Sequence, residues 1–268
     1  MGNLEQINMM RQITSKLAFV VALTLTTVAF AQNPLVGNWK FNQGKSKITG
    51  DTLHFASEAD GAIKCTSGGM SYTFKLDGGP STTGLGNTAE WTKIDDSTWQ
   101  NVLKKDSTNL STDTLKLSPD GKSLELTSAG TKPNGDSFKD TSTYTRIAGT
   151  KGFFGSWRNS KTNVSSPTGY EIKDNGDGTL TWNLPDFKAT ATLKTDGTDA
   201  PATGPTVPDG MTLSLTKTGP RSFTLVEKIK GKPIFKVTEN VSADGKTLTE
   251  TGSAVGVNEP ITAVYDKV

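Results

Sequence analysis

The sequence has a single cysteine, Cys65, and a single histidine, His54, among 268 residues. One cysteine excludes an internal disulfide, so an exported domain of this chain must be held by its own core. One His and one Cys exclude the clusters that ligate zinc. A Ser/His/Asp arrangement would have to use His54, and no Gly-x-Ser-x-Gly nucleophile turn occurs anywhere. Helical periodicity is nearly missing after residue 31, so no glycine-rich phosphate loop leads into a helix. An excess of charge of one sign is missing too. The totals are 29 basic and 27 acidic residues; setting aside Arg11, Lys16 and Glu5 leaves 27 and 26 in residues 32–268. Scattered, balanced charge offers no basic face for nucleic acid or an anionic membrane. These absences argue against an enzyme and against any cofactor or metal.

The remaining chemical candidates read as structure. Cys65 in AIKCTS is read as a buried small hydrophobe. His54 in DTLHFAS is read as a strand or surface residue, because catalysis or haem ligation needs an oriented partner group. Asp174-Asn175-Gly176-Asp177-Gly178 suggests a calcium loop, but it lacks the bidentate Glu and matches a hairpin turn. Asp95-Asp96 in IDDST reads as a turn, with both carboxylates facing solvent.

Only one long apolar run is present, LAFVVALTLTTVAFA at 17–31, preceded by Arg11 and Lys16. It has the length of a signal-peptide core and ends in Ala29-Phe30-Ala31, a small-x-small pattern. The expectation is a signal peptide over 1–31, cleaved after Ala31, and a secreted or periplasmic chain without an integral membrane segment.

What the sequence does have is repetition. SPDGKSLELT at 118–127 returns as SADGKTLTET at 242–251, 124 residues later. At the same offset WTKIDDSTWQ (91–100) aligns with LTKTGPRSFT (215–224), which places Trp99 opposite Phe223. LVGNWKFNQGKSK (35–47) matches FFGSWRNSKTNVS (153–165), and STYTRI (142–147) matches AVYDKV (263–268). The expectation is a tandem duplication with units at 33–148 and 152–268, joined by Ala148-Gly149-Thr150-Lys151. Two copies of this length make a domain pair and not a solenoid.

Within each unit the period is two. Met211, Leu213 and Leu215 share one face of MTLSLTK, and Thr212, Ser214 and Thr216 share the other, which should be solvated. Leu180, Trp182 and Leu184 share a face of LTWNL. Asp120-Gly121, Asp244-Gly245, Asn175-Gly176 and Asp177-Gly178 supply hairpin turns. The fold class expected is all-β: two tandem antiparallel β-barrels of about eight to ten strands each, by count of strand-length runs. A pair of β-sandwiches is the second choice, since neither unit carries Cys…Trp…Cys spacing.

The ends of the units carry the most specific pattern. Unit one opens Gly37-Asn38-Trp39 and closes Tyr144-Thr145-Arg146; unit two opens Gly155-Ser156-Trp157 and closes Tyr265-Asp266-Lys267. This resembles the calycin group (lipocalins, fatty-acid-binding proteins and avidins), whose mark is Gly-x-Trp on the first strand under a basic residue from the last. The resemblance implies that Gly37, Trp39 and Arg146, and likewise Gly155, Trp157 and Lys267, close a barrel in each unit. A cation over indole contributes about 0.5–2 kcal/mol. The phrases NPLVGNWKFNQGKSK, KLDGGPSTTG and LSPDGKSLELT also resemble secreted bacterial proteins with lipocalin-like repeats. That likeness implies a barrel fold and an envelope or extracellular location, and it carries over no catalytic residue.

Two functions follow. In the first, one or both barrels hold a small hydrophobic ligand, with Trp91, Trp182, Met211 and Leu213 as wall residues and unit two favoured for a cavity. In the second, both barrels are packed solid and the outer surface serves as an envelope interaction or enzyme-inhibitor module. Small barrels of this type either fill with side chains or hold one ligand, and the interior decides between the two readings.

Overall fold

The computed structural model describes residues 33–166 and 169–268; the leader at 1–31 and its expected cleavage after Ala31 lie outside them. The described chain is all-β, with twenty antiparallel strands in two ten-stranded sheets, one a closed barrel and one nearly closed. Among the described residues no helix is long and apolar enough to cross a membrane.

The chain does not build these sheets one after the other. Strand β1 (Gly37–Phe41) pairs on both sides with strands from the far end of the sequence. The chain then makes a complete second sheet before it returns. That sheet contains β2 (Thr52–Ser57), β3 (Ile63–Ser67), β4 (Met70–Phe74), β5 (Asp77–Thr82), β6 (Thr88–Asp95), β7 (Thr98–Lys105), β8 (Thr108–Leu117), β9 (Ser123–Thr131), β10 (Ser137–Ala148) and β11 (Gly155–Asn163). We refer to it as the continuous barrel. The sheet begun by β1 is completed by β12 (Gly169–Asp174), β13 (Thr179–Leu184), β14 (Ala189–Lys194), β15 (Asp196–Thr203), β16 (Met211–Lys217), β17 (Ser222–Ile229), β18 (Lys232–Val241), β19 (Thr247–Ala254) and β20 (Ile261–Lys267). This is the split barrel, closed by β1 lying between β12 and β20.

The sheets therefore cross the boundary expected from the repeat. Residues 33–148 and 152–268 each supply nine strands to one sheet and one strand to the other. The cause is local. The expected link at 148–151 is part of a tight turn, with Arg146 facing Trp157 and Ala148 facing Ser156 in the β10–β11 register. So short a connection holds sequence neighbours together as a hairpin. β11 thus stays beside β10, and β1 is left to close the other barrel.

The continuous barrel stops short of closure between β4 and β5. Pro80 lies on β5, and a residue without an N–H suits an edge strand. In the split barrel β15 carries Pro201 and pairs with β14 at only Thr190–Thr203 and Ala191–Ala202, but there the ring closes.

The recurring decamers make one corner twice. Ser118 Oγ donates to Asp120 Oδ1 at 2.6 Å, Asp120 Oδ1 accepts from the Lys122 N–H, and Ser118 Oγ accepts from the Ser123 N–H. Ser242, Asp244, Lys246 and Thr247 repeat each of these bonds. Gly121 and Gly245 have φ of 66° and 71°, which Gly adopts without a Cβ penalty. The likeness between the decamers is therefore turn chemistry.

The closing mark is present with its partners exchanged. Arg146 lies 4.0 Å over Trp157, and Lys267 lies 5.2 Å over Trp39. The expected pairs are Arg146 with Trp39 and Lys267 with Trp157; the strand exchange reverses them. Each indole N–H donates to a carbonyl four residues earlier, Trp39 to Leu35 at 2.7 Å and Trp157 to Phe153 at 2.9 Å. Gly37 is required by close approach, because a Cβ there would lie 2.3 Å from Lys267 Cε.

Candidate functional site

The two interiors differ. Aromatic rings fill the continuous barrel: Phe74 stacks on Trp91 with centroids 4.6 Å apart, Trp99 stacks on Phe153 at 4.0 Å, and Phe55 packs edge-on to Phe74 and Trp99. Trp91, expected as a ligand wall, is part of this filling, and its N–H donates to the Tyr72 hydroxyl at 2.9 Å. Cys65 is buried in the same core, and burial pushes its thiol up to about 12, so it stays protonated and inert. His54 is exposed on β2, with Nδ1 2.8 Å from Ser156 Oγ.

The split barrel holds a cavity of about 340 Å³, partly open to solvent, at the low end of the range for small-molecule sites. Alternation builds its wall. Leu180, Trp182 and Leu184 face inward on β13, with Trp182 and Leu184 reaching the cavity; Met211 and Leu213 line it from β16, and Leu225 from β17. Trp182, Met211 and Leu213 thus meet at one cavity. The neighbouring strand β14 contributes Ala189 and Ala191, which leave the space that larger side chains would occupy.

Thr212 and Ser214, expected on a solvated face, are covered. The Lys228–Asp199 ion pair, 2.5 Å long, crosses β16 on that side, since Lys228 stands opposite Thr212 and Asp199 opposite Ser214. Ser214 is 6% exposed as a result.

Two short segments border the cavity, the 3-10 turn Pro185–Phe187 through Phe187 and the loop following β15 through Thr206, Val207 and Pro208. Phe187 and Thr206 also line a cleft of about 710 Å³ shared with the continuous barrel, so they partition the two spaces. Both segments are held from the continuous barrel. Lys132, itself buried, reaches the half-buried Asp186 at 2.9 Å, and Asn134 adds a bond to the same carboxylate at 3.1 Å. Lys105 donates to the Val207 carbonyl and pairs with Asp209 at 3.2 Å.

The cavity also has an acidic side. Glu227 and Glu250 line it, and Glu239 stands directly opposite Glu250 on the adjacent strand, fully buried, with both carboxylate oxygens unpartnered. Tyr170 donates to Glu250 Oε1 at 2.5 Å, and the Tyr265 hydroxyl bears on the same carboxylate. Burial raises the proton affinity of all three carboxyls, and repulsion between Glu239 and Glu250 adds to it. None of the three forms an ion pair with Lys or Arg among the described residues.

These three residues are not among the wall residues expected from the sequence, although their signal is present in it. Glu227 continues the inward series Phe223, Leu225; Glu239 lies between Val237 and Val241; Glu250 follows Leu248 by two. The phase of the alternation puts each carboxyl on the apolar face.

The acids of the turns behave differently. The carboxylates of Asp174 and Asp177 accept backbone N–H bonds from Gly176 and Thr179. Asp95 accepts from the Ser97 N–H at 2.7 Å, which holds its carboxyl below the usual range, and Asp96 pairs with Lys93 at 2.6 Å. Compared with known proteins, the chain matches no family model, no curated protein and no solved structure.

Proposed function

We propose that this chain is an exported binding protein that holds one small, largely apolar molecule inside the split barrel. The observation that carries the reading is the 340 Å³ cavity walled by Trp182, Leu184, Met211, Leu213 and Leu225. A well-packed interior does not leave such a space without use or cost, because voids forfeit contact energy. The continuous barrel is the scaffold in this reading. Its core is packed with contacting aromatic rings, and its Lys105 and Lys132 fix the two segments that border the cavity. The calycin likeness of the closing marks supports the same assignment, as does the matching register of the two sheets, which we take to reflect tandem duplication. Export through the leader at 1–31 belongs to this proposal.

The test is titration of the purified chain with neutral apolar probes, Nile red and retinol, following probe emission and the fluorescence of Trp182 against a Trp182→Phe control. Saturable binding that Leu213→Trp abolishes, with the fold intact by circular dichroism, is the expected result. No binding of either probe by folded protein would overturn the reading.

A further inference from the structure

We propose that the split barrel selects a small organic cation, a protonated amine carrying an apolar body, with Glu250 as the counter-ion and Glu239 and Glu227 as the surrounding negative field. The inference rests on the binding reading above and deepens it by naming the ligand class. Three observations lead to it.

First, two of the three acidic residues occupy a cavity wall, and the third, Glu239, stands opposite one of them on the adjacent strand. Glu227 and Glu250 reach the same space as Trp182 and Leu213, so a ligand with an apolar body would meet a carboxyl group at one end. Second, the negative side has no internal answer. A buried carboxylate normally pairs with a cation or gathers several N–H donors. Here Glu239 has two bare oxygens at zero exposure, and Glu250 has only tyrosine hydroxyls. Third, the corresponding places in the continuous barrel are apolar. At the offset of 124, Glu227, Glu239 and Glu250 stand where that barrel has Leu103, Leu115 and Leu126, in the same cross-strand register. The fold therefore accepts leucine at these positions, and the barrel with the cavity carries the acids.

The aromatic groups suit the same ligand. Tyr170 and Tyr265 pack with ring centroids 4.9 Å apart beside Glu250, and Trp182 lines the cavity with them. Ring faces attract a cation, more strongly where water is excluded. An inorganic divalent ion fits less well, because it needs six or more oxygen ligands. Among the described residues no three His, Cys, Asp or Glu side chains converge as a ligand set.

Binding would move a proton. The groups that face Glu250 are Glu239 on β18, Glu227 on β17, Tyr170 on β12 and Tyr265 on β20. No cation is among them, and burial raises the proton affinity of Glu239 and Glu250, so an arriving ammonium group would displace protons to solvent.

The experiment is isothermal titration calorimetry of the full chain with a size-matched trio, 2-phenylethylamine, 2-phenylethanol and phenylacetate, at about pH 8 and about pH 5, in two buffers of different ionisation enthalpy. Nile red serves as the neutral probe of the cavity. The amine should bind about tenfold or more tightly than the alcohol at the higher pH, with phenylacetate weakest, and should release protons on binding. Glu250→Gln and Glu239→Gln should each reduce the preference for the amine and the proton release while Nile red still binds. Equal binding of all three, or phenylacetate binding best, overturns the choice of a cation and leaves the binding reading standing. Nile red binding without any of the trio does the same. Failure of Nile red and the trio together overturns both.

Discussion

The two barrels share a register and differ in where they keep polar groups. In the continuous barrel Asn101, Asp113 and Ser128 form one inward row, with Leu103, Leu115 and Leu126 close by; in the split barrel the same rows read Leu225, Val237, Gly252 and Glu227, Glu239, Glu250. The polar character has moved by one step along the strands. Its satisfaction has changed as well. Asp113 accepts from Asn101 Nδ2 at 2.9 Å, from Ser111 Oγ at 2.9 Å and from Ser128 Oγ, and around it the barrel is filled with stacked rings. In the split barrel Glu239 has no donor, Glu250 has only tyrosine hydroxyls, and Glu227 and Glu250 line the cavity. One sheet geometry can therefore carry a buried carboxylate as part of a closed network, or leave it available to something arriving from outside.

Four sets of changes would break or sharpen this contrast. The largest effect belongs to the closing marks. Trp157→Ala and Trp39→Ala should each cost about 3–5 kcal/mol in urea unfolding, through lost burial and an unfilled cavity. Two separate transitions in the Trp39 variant would show that the continuous barrel survives alone, whereas joint loss would show that the barrels unfold as one. Next, Asp113→Val, which copies Val237 into the continuous barrel, should cost about 2–3 kcal/mol, because Asn101, Ser111 and Ser128 lose their acceptor. An unchanged midpoint would show that the network contributes nothing.

Arg146→Ala should cost about 1–2 kcal/mol and Lys267→Ala under about 1 kcal/mol. Arg146 sits closer to its indole and also donates to the carbonyls of Gly121, Gly152 and Phe154. A larger loss from Lys267 would reverse the ranking. The smallest change expected in mid-range conditions comes from Glu239→Gln, and it has the opposite sign. Glu239 and Glu250 bind protons more tightly folded than unfolded. The folded state therefore holds more protons above the ordinary carboxylate range, and stability falls as pH rises from about 4.5 through the raised values. Melting temperatures from about pH 4.5 to 8.5 should decline for the parent chain and decline less for Glu239→Gln, which should be the more stable at the alkaline end. Parallel profiles would mean that Glu239 does not titrate in that range.

Alternation and turn residues make the strands legible in the sequence alone, because Thr-rich alternation with Asp-Gly corners leaves little other choice. The same argument places Trp182, Met211 and Leu213 on inward faces. The strand exchange is not legible. Both heads are Gly-x-Trp and both tails are Tyr-x-Arg or Tyr-x-Lys, so either pairing satisfies the same chemistry. The choice is made by the β10–β11 hairpin, whose tightness outweighs the repeat boundary. The place of Trp91 cannot be read either. An inward Trp on a strand is written identically whether Phe74 stacks on it or a cavity adjoins it. The glutamates escape any reading that assigns charge to the surface without first asking its phase on the strand.

The nesting of one barrel inside the chain of the other sets an order of assembly. Strand β1 is the first strand made, and one of its partners, β20, is the last. Their direct meeting would close a loop of more than two hundred residues, whose entropic cost grows with length. The continuous barrel needs nothing beyond Asn163, so it can form first. Its Asn159 N–H donates to the Asp51 carbonyl at 2.8 Å, and the Val164 N–H donates to Gln43 Oε1 at 2.9 Å, which brings the two exits of that barrel side by side. Once these bonds exist, β1 and β12 are neighbours through short tethers and not the ends of a long coil. The inner module thus acts as the template on which the cavity-bearing one is assembled, and a nascent chain halted before β20 would display β1 as an unpaired edge.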